Sequence, residues 1–173
     1  ETASAPDSGG GISGLLAGIL ETLGIAPAQL TFLTPDQAFA MTLEPADGRS
    51  LNAHWRIADG YYLYKKKFRF EVQQGDATLG APQLPAGTIK DDQTFGKMEV
   101  YHHGVSARIP VNRNGTGPGR LTVVAHYQGC ADAGFCYPPI TKTVNLGLPP
   151  PGLAAAAPAA LSATDRNAQS LSR

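Results

Sequence analysis

The chain offers no excess of charge to a partner. Fourteen Lys and Arg balance fourteen Asp and Glu, and the one dense basic cluster, Lys65-Lys66-Lys67, sits inside an apolar run. A nucleic-acid or acidic-lipid partner is therefore not expected. Long hydrophobic runs are also missing. The longest apolar stretch near the start, residues 12–25, is broken by glycines, polar residues and Glu21, too short and too interrupted to span a bilayer. No basic region precedes it, so no signal peptide is read. Cysteine is scarce, with two in the chain. Together with His126 and His102 or His103 they could make a Cys2His2 set, but the spacing is not that of a zinc finger, and neither metal nor cofactor is expected. The four histidines read instead as ordinary groups: His54 and His126 on strands, and His102-His103 in a solvent-facing turn beside Gly104.

What is present is enough apolar residue, 42% of 173, for one domain with a real core. Residues 1–11 are small, polar and Gly-rich, with too little apolar surface to offset ordering entropy, and are expected to be disordered. Ile12, Leu15, Leu16, Ile19, Leu20 and Leu23 recur at helical spacing before Gly24, which predicts a short amphipathic helix. Residues 1–30 thus read as a flexible segment carrying that helix. At the other end, residues 148–173 read as a Pro/Ala-rich linker, a composition that fits a tether to a membrane domain.

Residues 31–147 read as the folded domain, and as all-β. Ser50–Ile57 alternates Leu51, Ala53, Trp55 and Ile57 against polar partners. Phe68–Val72 repeats the scheme with Phe68, Phe70 and Val72. Leu121–Tyr127 is strongly β-prone, and Ile140–Leu146 alternates again. Turn signals at Asp47-Gly48, Asp59-Gly60, Gly75-Asp76 and Asn114-Gly115 separate the segments. The long helical crossovers that parallel strands require are missing, so an antiparallel β-sandwich is the fold expected.

The chemistry concentrates at Cys130 and Cys136, in Gln128-Gly129-Cys130-Ala131-Asp132-Ala133-Gly134-Phe135-Cys136-Tyr137-Pro138-Pro139. Five intervening residues with Gly134 among them permit a disulfide. It could be a structural staple in a β-sandwich binding module. A ring of about seven residues would then contribute only about 2 kcal/mol, against more than about 4 for a link across the sheets. The alternative is a small redox loop at the sandwich edge, where an exposed local disulfide is open to exchange. Phe135 and Tyr137 are apolar neighbours, the loop holds no Lys or Arg, and Asp132 would add negative charge if it lies close. All three disfavour the thiolate and make the dithiol a poor nucleophile until a partner docks.

The segment from Tyr127 to Pro139 closely resembles the active-site segment of the N-terminal periplasmic domain of the DsbD family, membrane thiol:disulfide interchange proteins of Gram-negative bacteria. Further agreement lies in Pro35–Phe39, Trp55–Lys65 and Gly96–Tyr101, so that the likeness covers roughly residues 32–146. The resemblance implies an immunoglobulin-like sandwich, a periplasmic segment of an inner-membrane protein. Such a domain would be monomeric when isolated and would take electrons from the thioredoxin-like C-terminal domain of the same polypeptide. Its acceptors would be the disulfide isomerases DsbC and DsbG and a thioredoxin-like cytochrome c maturation protein. It further implies that Cys136 forms the mixed disulfide and Cys130 resolves it; the residues alone do not rank the two. Tyr62 and Tyr64 match tyrosines lining the family's site, although Tyr61–Tyr64 by itself reads as a strand with aromatic packing on both faces. Alternation places Tyr62 and Tyr64 on one face. The family's cap loop carries an acidic pair followed by Phe-Tyr-Gly-Lys. Here Asp92 matches the first acid, Gln93 replaces the second, Thr94 stands where the shielding Phe is usual, and Phe95 replaces the Tyr. Either Phe95 swings in to cover the sulfurs or the pair is less shielded; without the family, the stretch reads as a polar surface loop.

Overall fold

The computed structural model describes residues 31–155; the expected helix at 12–23 and the stretch 1–11 lie outside them. One turn of helix, α1 (Pro35–Ala38), leads into eleven strands among the described residues. These are β1 (Phe39–Asp47), β2 (Ser50–Ile57), β3 (Tyr61–Tyr64), β4 (Arg69–Gln74), β5 (Thr78–Leu79), β6 (Thr88–Asp92), β7 (Gly96–Tyr101), β8 (Gly104–Asn112), β9 (Gly119–Tyr127), β10 (Gly129–Ala131) and β11 (Ile140–Leu148). The pairings are antiparallel throughout. One sheet runs β1-β2-β8-β5, a second β11-β9-β4, and a third β10-β3-β7-β6.

The first two sheets sandwich the main core. Alternation turns Leu51, Ala53, Trp55 and Ile57 of β2 inward, and likewise Val105, Ala107, Ile109 and Val111 of β8 and Leu121, Val123, Ala125 and Tyr127 of β9. Trp55 is fully buried, its ring 4.6 Å from Phe68 and 5.6 Å from Tyr127. Among the described residues the Trp55 indole N–H and the Tyr127 hydroxyl have no hydrogen-bond partner, and burial pushes the Tyr127 phenol up to about 12.

Two elements differ from the sequence expectation. Phe68 lies outside its expected strand, closing a 3-10 turn formed by Lys65–Lys67, and β4 begins at Arg69. Phe70 and Val72 are only half-buried, because β4 is an edge strand with β9 as its single partner in that sheet. At the C-terminal side, β11 runs to the buried Leu148, one residue past the expected boundary. The start of the expected linker then folds back: Ala155 N–H donates to the Ala46 carbonyl, and Ala154 bridges to Asp47.

The third sheet holds a second, smaller buried cluster of Tyr62, Tyr64, Val100 and Cys130, with Met98 and Cys136 packed against it.

Candidate redox site

Cys130 lies on β10, and the chain returns across a tight turn to place Cys136 directly opposite, the two Cα atoms 4.0 Å apart and the sulfurs joined. Hydrogen bonds flank the pair, from Ala131 N–H to the Phe135 carbonyl and from Tyr137 N–H to the Gly129 carbonyl. The cysteines therefore occupy the non-hydrogen-bonded position of an antiparallel ladder, where facing side chains come closest. Gly134, at φ 99°, supplies the left-handed residue the turn requires. Gly129 serves a different need: a Cβ there would overlap the Tyr62 carbonyl oxygen and lie 2.7 Å from the Phe39 ring. Its bare backbone lets β10 pair with β3, setting Cys130 opposite Tyr62.

The two sulfurs have different surroundings. Cys130 is fully buried and Cys136 half-buried, so the loop is exposed on one side only. The Tyr64 hydroxyl oxygen lies 3.0 Å from Cys130 Sγ and donates its proton to Asp92 Oδ2 at 2.7 Å. Tyr62 donates to the same oxygen at 2.6 Å, while the backbone N–H groups of Thr94 and Phe95 donate to Oδ1. Burial acts to raise the Asp92 carboxyl, but four donors outweigh it and hold the acid at about 2. The same contacts act in reverse on the phenols. Burial and then the Asp92 carboxylate push Tyr62 up to about 12 and raise Tyr64 as well. A fixed negative charge thus lies one hydroxyl away from Cys130.

Asp92 is delivered by a β-hairpin, not by the surface loop the sequence suggested. β6 and β7 pair from Thr88↔Val100 to Asp92↔Gly96, leaving Gln93, Thr94 and Phe95 at the tip. Gln93 is exposed. Thr94 Oγ1 stands 3.9 Å from Cys136 Sγ. Phe95 packs edge-on against Tyr64, ring centroids 5.3 Å apart, beneath the Lys67 ammonium. The cap residue beside the outer sulfur is thus Thr94, with Phe95 seated on the tyrosine.

On the opposite flank, Phe135 stacks on Phe32 at 4.6 Å and meets Tyr137 edge-on at 4.9 Å. Tyr137 is buried, pushed up to about 12 chiefly by that burial, and donates to the Leu33 carbonyl. Asp132, expected to bear on the thiols, is paired with Lys90 at 3.2 Å; the acid wired to Cys130 is Asp92. Sequence reasoning missed Lys90, Met98, Val100 and Phe32. For Lys90 a signal existed: it stands two residues before Asp92, on the same face once the stretch is read as a strand. Among the described residues no group of three or more His, Cys, Asp or Glu is placed to hold a metal ion. His126 instead faces Glu71 at 3.3 Å, and His54 faces Ser106 at 2.9 Å.

Residues 29–148 match the family model described as thiol:disulfide interchange protein DsbD, N-terminal. This chain belongs to the DsbD N-terminal family. It is 42% identical over 121 residues to the DsbD of Escherichia coli K12, an alignment covering 70% of this chain and 20% of that protein. It is 38% identical over 146 residues to the DsbD of Shigella boydii, covering 84% and 25% respectively. The chain therefore spans about a quarter or less of the DsbD proteins it matches. Among solved structures it resembles the reduced DsbD N-terminal domain of Neisseria meningitidis, with a TM-score of 0.60 and 35% identity over 70% of this chain and 92% of that one. It also resembles a structure of the complex between the DsbD and PilB N-terminal domains of the same organism, with a TM-score of 0.54, 37% identity, and coverage of 66% and 86%. The family carries a disulfide redox role and an immunoglobulin-like sandwich. No helix among the described residues is long and apolar enough to cross a membrane.

Proposed function

We propose that this domain is a periplasmic two-electron relay that works by dithiol–disulfide exchange through Cys130 and Cys136. The observation that carries the reading is the asymmetry of the pair: one sulfur half-buried at the edge, the other fully buried against Tyr64. An incoming thiolate of a reduced thioredoxin-like domain attacks Cys136 Sγ. The Cys130–Cys136 bond breaks, and Cys130 leaves as a thiolate that takes up a proton. The partner's second thiolate then attacks its own sulfur in the mixed disulfide and releases Cys136. The partner ends as a disulfide and this domain as a dithiol, two electrons and two protons richer.

In the reduced domain the Cys130 thiol donates to the Tyr64 hydroxyl, which still donates to Asp92. The nearby carboxylate disfavours a second negative charge, so Cys130 waits protonated and the electrons are not lost to small oxidants. Delivery runs the exchange in reverse: Cys136 attacks a substrate disulfide and Cys130 resolves the intermediate. The donor is the thioredoxin-like C-terminal domain of the larger protein; the acceptors are the isomerases DsbC and DsbG and a thioredoxin-like cytochrome c maturation protein. The larger protein acts as a protein-disulfide reductase in the inner membrane. A relative's complex with the PilB N-terminal domain supports a protein partner, and a relative solved in the reduced form supports a fold that outlasts cleavage of the disulfide.

The test is the redox equilibrium of the oxidised domain with a reduced thioredoxin-like domain, with folding followed by circular dichroism. Reversible exchange in a folded sandwich is the expected result. Resistance to the partner, or unfolding on reduction, would make the disulfide a staple and the domain a binding module.

A further inference from the structure

The β6–β7 hairpin projects from its sheet with little backbone support. β7 pairs with β3 only at Leu63↔Tyr101 and Tyr64↔Val100, and from Met98 to the tip its backbone partner is β6. The projecting part is held down by side chains. At its base Lys65 pairs with Glu99 at 2.8 Å, and at its tip Asp92 binds Tyr62 and Tyr64. Between them stands Lys90, whose ammonium lies 3.2 Å from Asp132 Oδ1 and 4.8 Å from the centroid of the Tyr62 ring. Asp132 is the second residue after Cys130, so this ion pair joins the outer strand of the hairpin to the redox turn itself. His102 Nε2 lies 4.0 Å from the same Asp132 oxygen.

We propose that Lys90 is a positioning residue that latches the cap hairpin onto the redox turn, and so sets how often Thr94 moves away from Cys136 and leaves its sulfur open to attack. Lys90 and Asp92 share one face of β6 and grip Tyr62 from two directions, ammonium over the ring and carboxylate on the hydroxyl. The latch deepens the relay reading and rests on it, because an access gate has a purpose only if the disulfide is meant to react.

The test measures how fast a neutral phosphine reduces the oxidised domain. The phosphine attacks Cys136, water supplies the oxygen of the phosphine oxide, and both cysteines emerge as thiols; its neutrality keeps a change of local charge from altering encounter. Lys90→Met keeps the stem and removes the charge, and Asp132→Asn removes the partner. Each should speed reduction by about two- to tenfold, the scale of a partly exposed ion pair with a cation–π contact. The double variant should be no faster than Lys90→Met, and Lys90→Arg should return the rate to that of the parent. Unchanged rates, singles that multiply in the double, or an Arg that fails to rescue would overturn the latch. If the parent does not exchange with a thioredoxin-like domain while the phosphine rates still rise as described, the latch stands and the relay reading falls.

Discussion

The main core and the redox cluster are both buried, yet they are held by opposite means. Around Trp55 the sandwich packs apolar surface, and among the described residues nothing pairs with the indole N–H or the Tyr127 hydroxyl. Around Cys130 the third sheet pairs its polar atoms: two phenols and two backbone N–H groups converge on the single carboxylate of Asp92. The first region keeps the fold through area removed from water, which a local change in charge leaves intact. The second holds a charge beside a sulfur, and in the proposed relay its redox state would change while the sandwich stays folded. That division of labour is what a reversible carrier needs.

Substitutions separate the two regions. Trp55→Ala should have the largest effect, a loss of about 3 to 5 kcal/mol from the cavity left in the main core, read as a fall in the urea midpoint. Gly129→Ala strikes the junction between the regions: with no room for a Cβ between β10 and β3, it should disturb the disulfide's seat and lower stability, measured in the same way. Asp92→Asn acts on the second region. The folded carboxyl titrates at about 2 against 3.8 in the unfolded chain, so folding favours its charged form. Its contribution, about 2 kcal/mol, is complete above about pH 4 and is lost as pH falls through about 2. Stability measured from pH 5 to pH 2 should fall less steeply by that amount in Asp92→Asn; an unchanged slope would mean the network does not hold the acid. Tyr64→Phe removes one hydrogen bond and should cost about 1 kcal/mol in the urea midpoint. The mildest change is Thr94→Phe, expected to leave stability within about 0.5 kcal/mol while slowing small-phosphine reduction by covering Cys136.

The same contrast explains what the sequence disclosed. β2 and β9 were legible because their buried residues alternate with exposed ones, as burial on one face demands. The cysteine segment was legible because its length and its glycines suit a short disulfide loop. β8 alternates just as cleanly at Val105, Ala107, Ile109 and Val111, but Pro110 interrupts its reading as a strand. The β6–β7 hairpin was read as a polar loop because it inverts the usual pattern: Asp92 is buried while Ile89, three residues earlier, is 71% exposed. Hydrophobic periodicity cannot find a strand whose inward group is a carboxylate. Nor could spacing find Lys90 beside Asp132, which lie 42 positions apart and meet only after four strands, β6, β7, β3 and β10, have paired.

In the proposed relay Cys136 is the sulfur that partners meet and Cys130 the one held in reserve. This assignment is tested most directly with the single-cysteine variants Cys130→Ser and Cys136→Ser, each mixed with a thioredoxin-like domain whose one remaining cysteine carries thionitrobenzoate. Release of thionitrobenzoate and mass spectrometry of the product then report the mixed disulfide. Rapid coupling through Cys136 is expected in Cys130→Ser, and little or none through Cys130 in Cys136→Ser. Equal coupling in both variants, or faster coupling through Cys130, would contradict it.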